Sequence, residues 1–434
     1  MSSNLPMPCA IRNLSSYPLP GKHVPQVVIE INGEKDGGKR TFSTLDLVEG
    51  TAVVTVTQET YLGHVDITFE GTSTTSASRA VSFVPGRRKA SHKFLRLRQP
   101  IDNFQETRLV PGQSYKFPFS FEVPESIGSQ QCDHSTKDAE VEEAHTQLPP
   151  TFESRSSKFW QSTAGGWAPK ACRISYKIRV VLSEKSQAFT GTTSSKVCDV
   201  SRSIRIMPAA KMAKVLGCPL HYLVHEKQSE CRSLGRNLGN LLVAAEEPRK
   251  IQISAPRTGM NKISTSAVEL HITFDPKTNI PPPQLCKIRS KLEVATYYGT
   301  SPWEDYPTTK EMECASTDRE AYITTTPLQS LDLTSIQWEK LPSFYAAKVK
   351  SADSASEYSV SSSGTSPEHS YTVSVTVPIN IPEEQALVST FHSCLVSRTY
   401  AIDLVLSYQV PSAICKSTMN MRIPIEVVFG RWES

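Results

Sequence analysis

The sequence predicts an all-β chain made of two tandem antiparallel β-sandwiches joined by a short linker. Three observations carry that expectation. Apolar and polar residues alternate with a period of two in one segment after another, which places one face of a strand in a core and the other in water. Pro outnumbers Gly, 30 to 20, and the alternating runs are broken by Pro, Gly and Ser, a pattern of short strands and turns. The 434 residues are too many for one sandwich of ~100 residues, so two in tandem is the economical reading.

In chain order, Val65, Ile67 and Phe69 alternate with His64, Asp66 and Thr68, and Glu70-Gly71 is read as the stop of that strand. Tyr115, Phe117, Phe119, Phe121 and Val123 form the next apolar set, followed by Ile174, Tyr176, Ile178, Val180 and Leu182. In the second half the sets are Val268, Leu270, Ile272 and Phe274; Val373, Val375 and Val377; Tyr400, Ile402, Leu404, Leu406 and Tyr408; and Ile423, Ile425, Val427 and Phe429. Between Met207-Pro208 and about Arg249 the alternation lapses. The expected organisation is therefore a sandwich over 1–208, a linker over 209–248 and a second sandwich over 249–434. Two polar insertions, Ser126 to Gln147 and Ser351 to Ser370, hold few large apolar residues and are expected to be loops.

Forty-seven Lys and Arg against 43 Asp and Glu give a formal charge of +4. That is too little basic excess for a nucleic-acid binder, and no nucleic acid is expected as a partner. Residues Met1 to Leu14 show no basic region followed by an apolar run, and Leu241 to Ala245 is among the longest apolar stretches. Neither a signal peptide nor a transmembrane segment is expected. The ten cysteines form no Cys-x-x-Cys pair, as reduced thiols of a cytoplasmic protein would.

Several strings spread along the chain carry a resemblance: Thr44-Leu45-Asp46, Val48-Glu49-Gly50-Thr51, Val65-Asp66-Ile67-Thr68-Phe69-Glu70-Gly71, and Pro111-Gly112-Gln113-Ser114-Tyr115-Lys116-Phe117-Pro118-Phe119. They continue with Leu148-Pro149-Pro150-Thr151-Phe152, Ile174-Ser175-Tyr176-Lys177-Ile178, and Phe391-His392-Ser393-Cys394-Leu395-Val396-Ser397-Arg398-Thr399-Tyr400. In this order and spacing they resemble the arrestin-like proteins of fungi, the family with paired arrestin N- and C-domains. The resemblance implies two β-sandwiches and a non-enzymatic adaptor or scaffold in membrane-protein trafficking or ubiquitination. Many relatives dock a ubiquitin ligase through Pro-Pro-x-Tyr. Here Pro149-Pro150 leads to Thr151-Phe152 and Pro281-Pro282-Pro283 to Gln284-Leu285, so the tyrosine that would fill the ligase groove is missing.

The densest basic stretch supplies Arg87, Arg88, Lys89, Lys93, Arg96 and Arg98. Such a cluster attracts a phosphorylated membrane-protein tail or acidic lipid headgroups, with the chain then peripheral to a membrane. A charge run is more often a solvated loop, here one running into a strand with Leu95 and Leu97 inward. Cys218, His221, His225 and Cys231 have thiol and imidazole donors suited to zinc. Their order is not a common zinc-module pattern, so no metal and no cofactor are expected.

Nucleophile elbows, phosphate loops, zincin helices and dinucleotide turns are all missing. One enzymatic alternative leaves no such signature: an arrestin-fold protein recruited to fungal secondary metabolism as a cyclase or pericyclase. A Diels-Alderase acting on an apolar terpenoid or polyketide needs shape and a hydrogen bond or two rather than a nucleophile.

Overall fold

The alternating segments become strands because each can bury one apolar face while the backbone pairs sideways. The computed structural model describes residues 24–34, 40–78, 86–99, 101, 107–128, 132–153, 169–188, 191–209, 224–233, 236–254, 262–277, 279–308, 318–342, 369–382 and 387–430. The first half holds β1 (Gln26–Ile31), β2 (Thr41–Phe42), β3 (Leu47–Thr55), β4 (Thr60–Leu62), β5 (His64–Ser78), β6 (Arg87–Gln99), β7 (Thr107–Leu109) and β8 (Ser114–Glu122). Helix α1 (Ala139–Thr146) follows, then β9 (Cys172–Ala188) and β10 (Gly191–Ile206).

The second half holds β11 (Val224–Ser233), β12 (Arg236–Glu246), β13 (Ile251–Ser254), β14 (Lys262–Ile263), β15 (Ser266–Pro276), β16 (Gln284–Gly299) and β17 (Arg319–Asp332). It ends with β18 (Glu339–Pro342), β19 (His369–Ile379), β20 (Phe391–His392), β21 (Val396–Gln409), β22 (Ser417–Ile425) and β23 (Val427–Phe429). The chain is all-β apart from α1 among the described residues.

Strands of the first half form a sheet ordered β1-β3-β8, a sheet ordered β2-β10-β9-β5-β6, and the β4-β7 ribbon. Strands of the second half form β11-β12-β15-β19-β18, β14-β13-β23, and β17-β16-β21-β20, with β22 also paired to β21. None of these sheets mixes strands from before Ile206 with strands from after Val224. In the first half the two main sheets face each other: Phe69 on β5 meets Phe121 on β8 with ring centroids 6.0 Å apart. In the second half Val243 and Leu270 face Ile288, Leu404 and Leu406 around a void of about 10 Å³, roughly one water molecule.

Three expectations change. Residues 224–233 and 236–246, expected within the linker, are strands: β12 pairs with β15 in register from Gly239↔Pro276 to Ala245↔Leu270, and β11 pairs with β12. Strand β5 does not stop at Glu70-Gly71 but continues to Ser78, with a register shift at Gly71/Thr72. A side chain at Gly71 would place its Cβ 2.5 Å from the Phe94 ring, so the glycine admits a close packing rather than ending the strand. The insertion 126–147, expected as a loop, contains α1. Most of the other insertion, 351–370, lies outside the described residues, which include only its end at His369–Ser370 on β19.

Candidate metal centre and the basic strand

Residues 132–147 of the polar insertion are held by capping and by a cluster of thiol and imidazole donors. Asp138 caps α1, its carboxylate accepting from Val141 N at 2.9 Å, while Glu140 and Glu142 sit in the first turn where the helix dipole favours negative charge. Val141 is fully buried, and a bridge between Ser126 and Gln147 closes the segment at its base. This geometry turns His145, in the last turn, inward.

Cys132 Sγ lies 3.2 Å from His134 Nε2 and 3.7 Å from His145 Nδ1. From the other half of the molecule, Cys394 brings its Sγ to 3.9 Å from Cys132 Sγ. One donor atom from each of the four residues lies within 4.8 Å of all the others. Cys394 is held by a tight turn after β20, in which Ser393 N donates to Val396 O at 3.0 Å and Trp303 N donates to Cys394 O at 2.9 Å.

Behind His145, its Nε2 lies 3.0 Å from Nε2 of His392, and His392 Nδ1 bonds Ser397 Oγ. Proton positions assigned on this pattern put hydrogens on His145 Nε2 and His392 Nδ1, leaving the His145 Nδ1 lone pair facing Cys132. Burial holds His145 down to about 4 and His392 down to about 3, so both are neutral imidazoles near pH 7. Burial also raises the Cys132 thiol and pushes Cys394 up to about 12.

The cluster sits on a joint between the two halves. Lys137 pairs with Asp305 at 2.5 Å and donates its backbone N–H to Glu304 O. Phe152 meets Phe391 edge to face at 5.8 Å, and the buried Arg398 guanidinium lies 5.4 Å from the Phe152 ring centre. The continuation of β5 adds Thr75 Oγ1 donating to Gly299 O at 2.6 Å and Ser78 N donating to Glu320 Oε1 at 2.5 Å.

None of the four converging residues was singled out by spacing. Cys132, His134 and His145 stand in a segment classed by its polarity, and Cys394 follows 262 residues after Cys132. The legible signal was Cys-x-His followed by a capped helix carrying His145. Of the set that spacing did suggest, Cys218 and His221 lie outside the described residues. Cys231 is buried on β11, the same strand as His225. Six residues of strand separate their backbones by about 20 Å, too far to share one ion.

The six basic residues all fall on β6, the edge of its sheet. Four have carboxylate partners: Arg87 with Glu320 at 3.5 Å, Lys93 with Glu70 at 2.9 Å, and Arg96 and Arg98 with Asp66 at 3.6 and 2.7 Å. Glu70 is buried, and Lys177 and Arg179 also approach it, at 3.5 and 3.4 Å. Burial pushes its carboxyl up, but these cations together hold it below the ordinary value. Arg88 and Lys89 are exposed, and no carboxylate pairs with them among the described residues. Phe94 and Leu95 are the inward pair of this strand, and Leu97, expected inward, is half-buried.

The fold and site together define an all-β protein with a Cys/His cluster at an inter-sheet joint and a basic edge strand. No helix among the described residues is long and apolar enough to cross a membrane. No protein-family model and no curated protein matches the chain.

Proposed function

We propose that the chain is a non-enzymatic, arrestin-like adaptor of two tandem β-sandwiches that takes up an acidic or phosphorylated tail of a membrane protein. The observation that carries this is the edge strand β6, thirteen residues long, with Arg88 and Lys89 exposed and without carboxylate partners among the described residues. An extended tail can add to such an edge through backbone hydrogen bonds while its phosphates or carboxylates meet the cations. The segregation of strands into two sets supports the tandem arrangement. The strings that carry the arrestin resemblance fall on its framework: Val65 to Gly71 on β5, Ile174 to Ile178 on β9, and Phe391 to Tyr400 on β20 and β21.

The enzymatic alternative, cyclising an apolar terpenoid or polyketide, needs a chamber of roughly 300 Å³ or more. The void lined by Val243, Leu270, Ile288, Leu404, Leu406, Met419 and Met421 holds about 10 Å³ and is not such a chamber.

The test is fluorescence anisotropy with a short phosphorylated acidic peptide, for the wild type and for R88Q/K89Q. Arg87 is left in place because it pairs with Glu320. Wild-type binding that weakens with salt, and falls about tenfold or ~1.4 kcal/mol in the variant, supports the reading. Equal affinity in both proteins, or binding only to anionic vesicles, overturns it.

A further inference from the structure

We propose that Cys132, His134, His145 and Cys394 bind one divalent transition-metal ion, zinc before others, in a closed tetrahedral site that clamps the 126–147 segment to the second half of the molecule.

The donor set comes first. Two thiols and two imidazoles suit zinc and its softer neighbours, whereas magnesium and calcium take oxygen. On binding, each thiol gives its proton to solvent, and two thiolates with two neutral imidazoles then cancel the dipositive charge. That balance matters in a site where His145 and Cys394 are buried, because an uncompensated charge there is costly.

Distances agree. Metal bonds of ~2.3 Å to sulfur and ~2.0–2.1 Å to nitrogen imply tetrahedral edges of about 3.3–3.8 Å between donors. Three of the six separations, all from Cys132, lie within about 0.1 Å of that range: 3.2 Å to His134, 3.7 Å to His145 and 3.9 Å to Cys394; all six are within 4.8 Å. A disulfide is a poorer account of the cysteine pair, since 3.9 Å between sulfurs is nearly twice the bond length of ~2.05 Å. A thiol hydrogen bond would explain that pair but not the two imidazole nitrogens directed at the same point.

The surroundings also look like those of a metal ligand. Metal-bound histidines usually donate their second ring N–H to a fixed acceptor. His145 has one in His392, which Ser397 orients in turn. Four protein donors leave no open position, so the site is structural rather than hydrolytic. Its ligands come from a loop, the last turn of α1 and a turn after β20, so one ion ties together pieces that share no sheet.

The experiment is elemental analysis of the full chain purified without chelator, together with cobalt substitution of the chelated protein. The proposal expects one zinc per chain and a cobalt spectrum with tetrahedral ligand-field bands and thiolate charge transfer. Cys394→Ser should lose the charge-transfer band or weaken it strongly, and Cys415→Ser, which alters an exposed thiol elsewhere, should leave it unchanged. His134→Cys keeps a donor and so guards against misfolding; it should bind cobalt with a stronger charge-transfer band. His392→Ala should keep the tetrahedral spectrum but lower affinity 10- to 100-fold in competition with a chromophoric chelator. Failure of the chelated wild type to take up either metal at micromolar concentration overturns the proposal. So does uptake that is identical in Cys394→Ser and His134→Cys, which would place the ion elsewhere.

Discussion

The joint between the halves makes a quantitative prediction at Phe152. Its backbone is fixed by a two-way bridge with Ile174, 2.9 and 2.7 Å, so the ring has little freedom to move away when a neighbour is cut. That ring meets Phe391 at 5.8 Å and the Arg398 guanidinium at 5.4 Å. Phe152→Leu keeps most of the apolar volume and loses both ring interactions. The edge-to-face pair contributes about 0.5–1.5 kcal/mol, and a desolvated cation–π contact up to about 2 kcal/mol. The expected loss is therefore about 1–3 kcal/mol. Phe391→Leu loses the same ring pair from the other side, at about 0.5–1.5 kcal/mol. Because one contact is counted in both, the double variant should cost less than the sum, with a coupling of about 0.5–1.5 kcal/mol. Urea denaturation followed by tryptophan fluorescence measures this, provided the transition is single and cooperative. Additivity within about 0.3 kcal/mol would refute the shared contact and with it this part of the joint.

Two further predictions concern the first half. Gly50 lies on the central strand β3, opposite Ile31 and Phe119, and a Cβ there would stand 2.1 Å from the Glu30 carbonyl oxygen and 2.5 Å from the Phe119 ring. Gly50→Ala should push β1 off its partner, at a cost of about 1–3 kcal/mol or more, seen as a lower denaturation midpoint and faster hydrogen exchange in β1. Asp199 accepts two bonds from Arg179, at 2.8 and 2.7 Å, and one from Lys196. These hold its carboxyl well below the usual range, with the Arg179 hydrogen bonds as the largest cause. A lowered folded-state pKa means the stabilisation is present above the unfolded-state value of ~3.9 and is lost as pH falls through the folded one. Asp199→Asn should therefore be less stable by about 1 kcal/mol above pH ~5, with the difference from wild type closing below pH ~4. A constant difference across that window would contradict the assignment.

Strands with one wet face were legible in the sequence because burial follows the period of two. On β9, Ile174, Tyr176, Ile178, Val180 and Leu182 are all buried, as their alternation required. Strand β12 was missed because Leu242 and Ala244 lie half-buried between the buried Leu241, Val243 and Ala245, so apolar residues occupy both faces and the period vanishes. Its partner β11 is an edge strand with few apolar residues, which reads as a linker. The far half of β5 was missed for another reason. Thr72 to Ser78 is polar, yet Thr75 and Ser78 bond to the second half of the molecule, and polarity that serves an interface looks like polarity that faces water. The Cys/His cluster was hidden by sequence distance, since a pattern built on local spacing cannot pair Cys132 with Cys394. The basic stretch was visible at once; that four of its six cations are already paired was not, because Asp66, Glu70 and Glu320 reach them only through sheet register and the joint.

Hydrogen exchange over β6 in the presence of the phosphorylated peptide tests the adaptor account most directly. The account predicts added protection of amides within Arg87 to Gln99, arising because the peptide pairs along β6, and loss of that protection in R88Q/K89Q. Protection confined to other strands, or none at peptide concentrations that saturate the anisotropy signal, would contradict it.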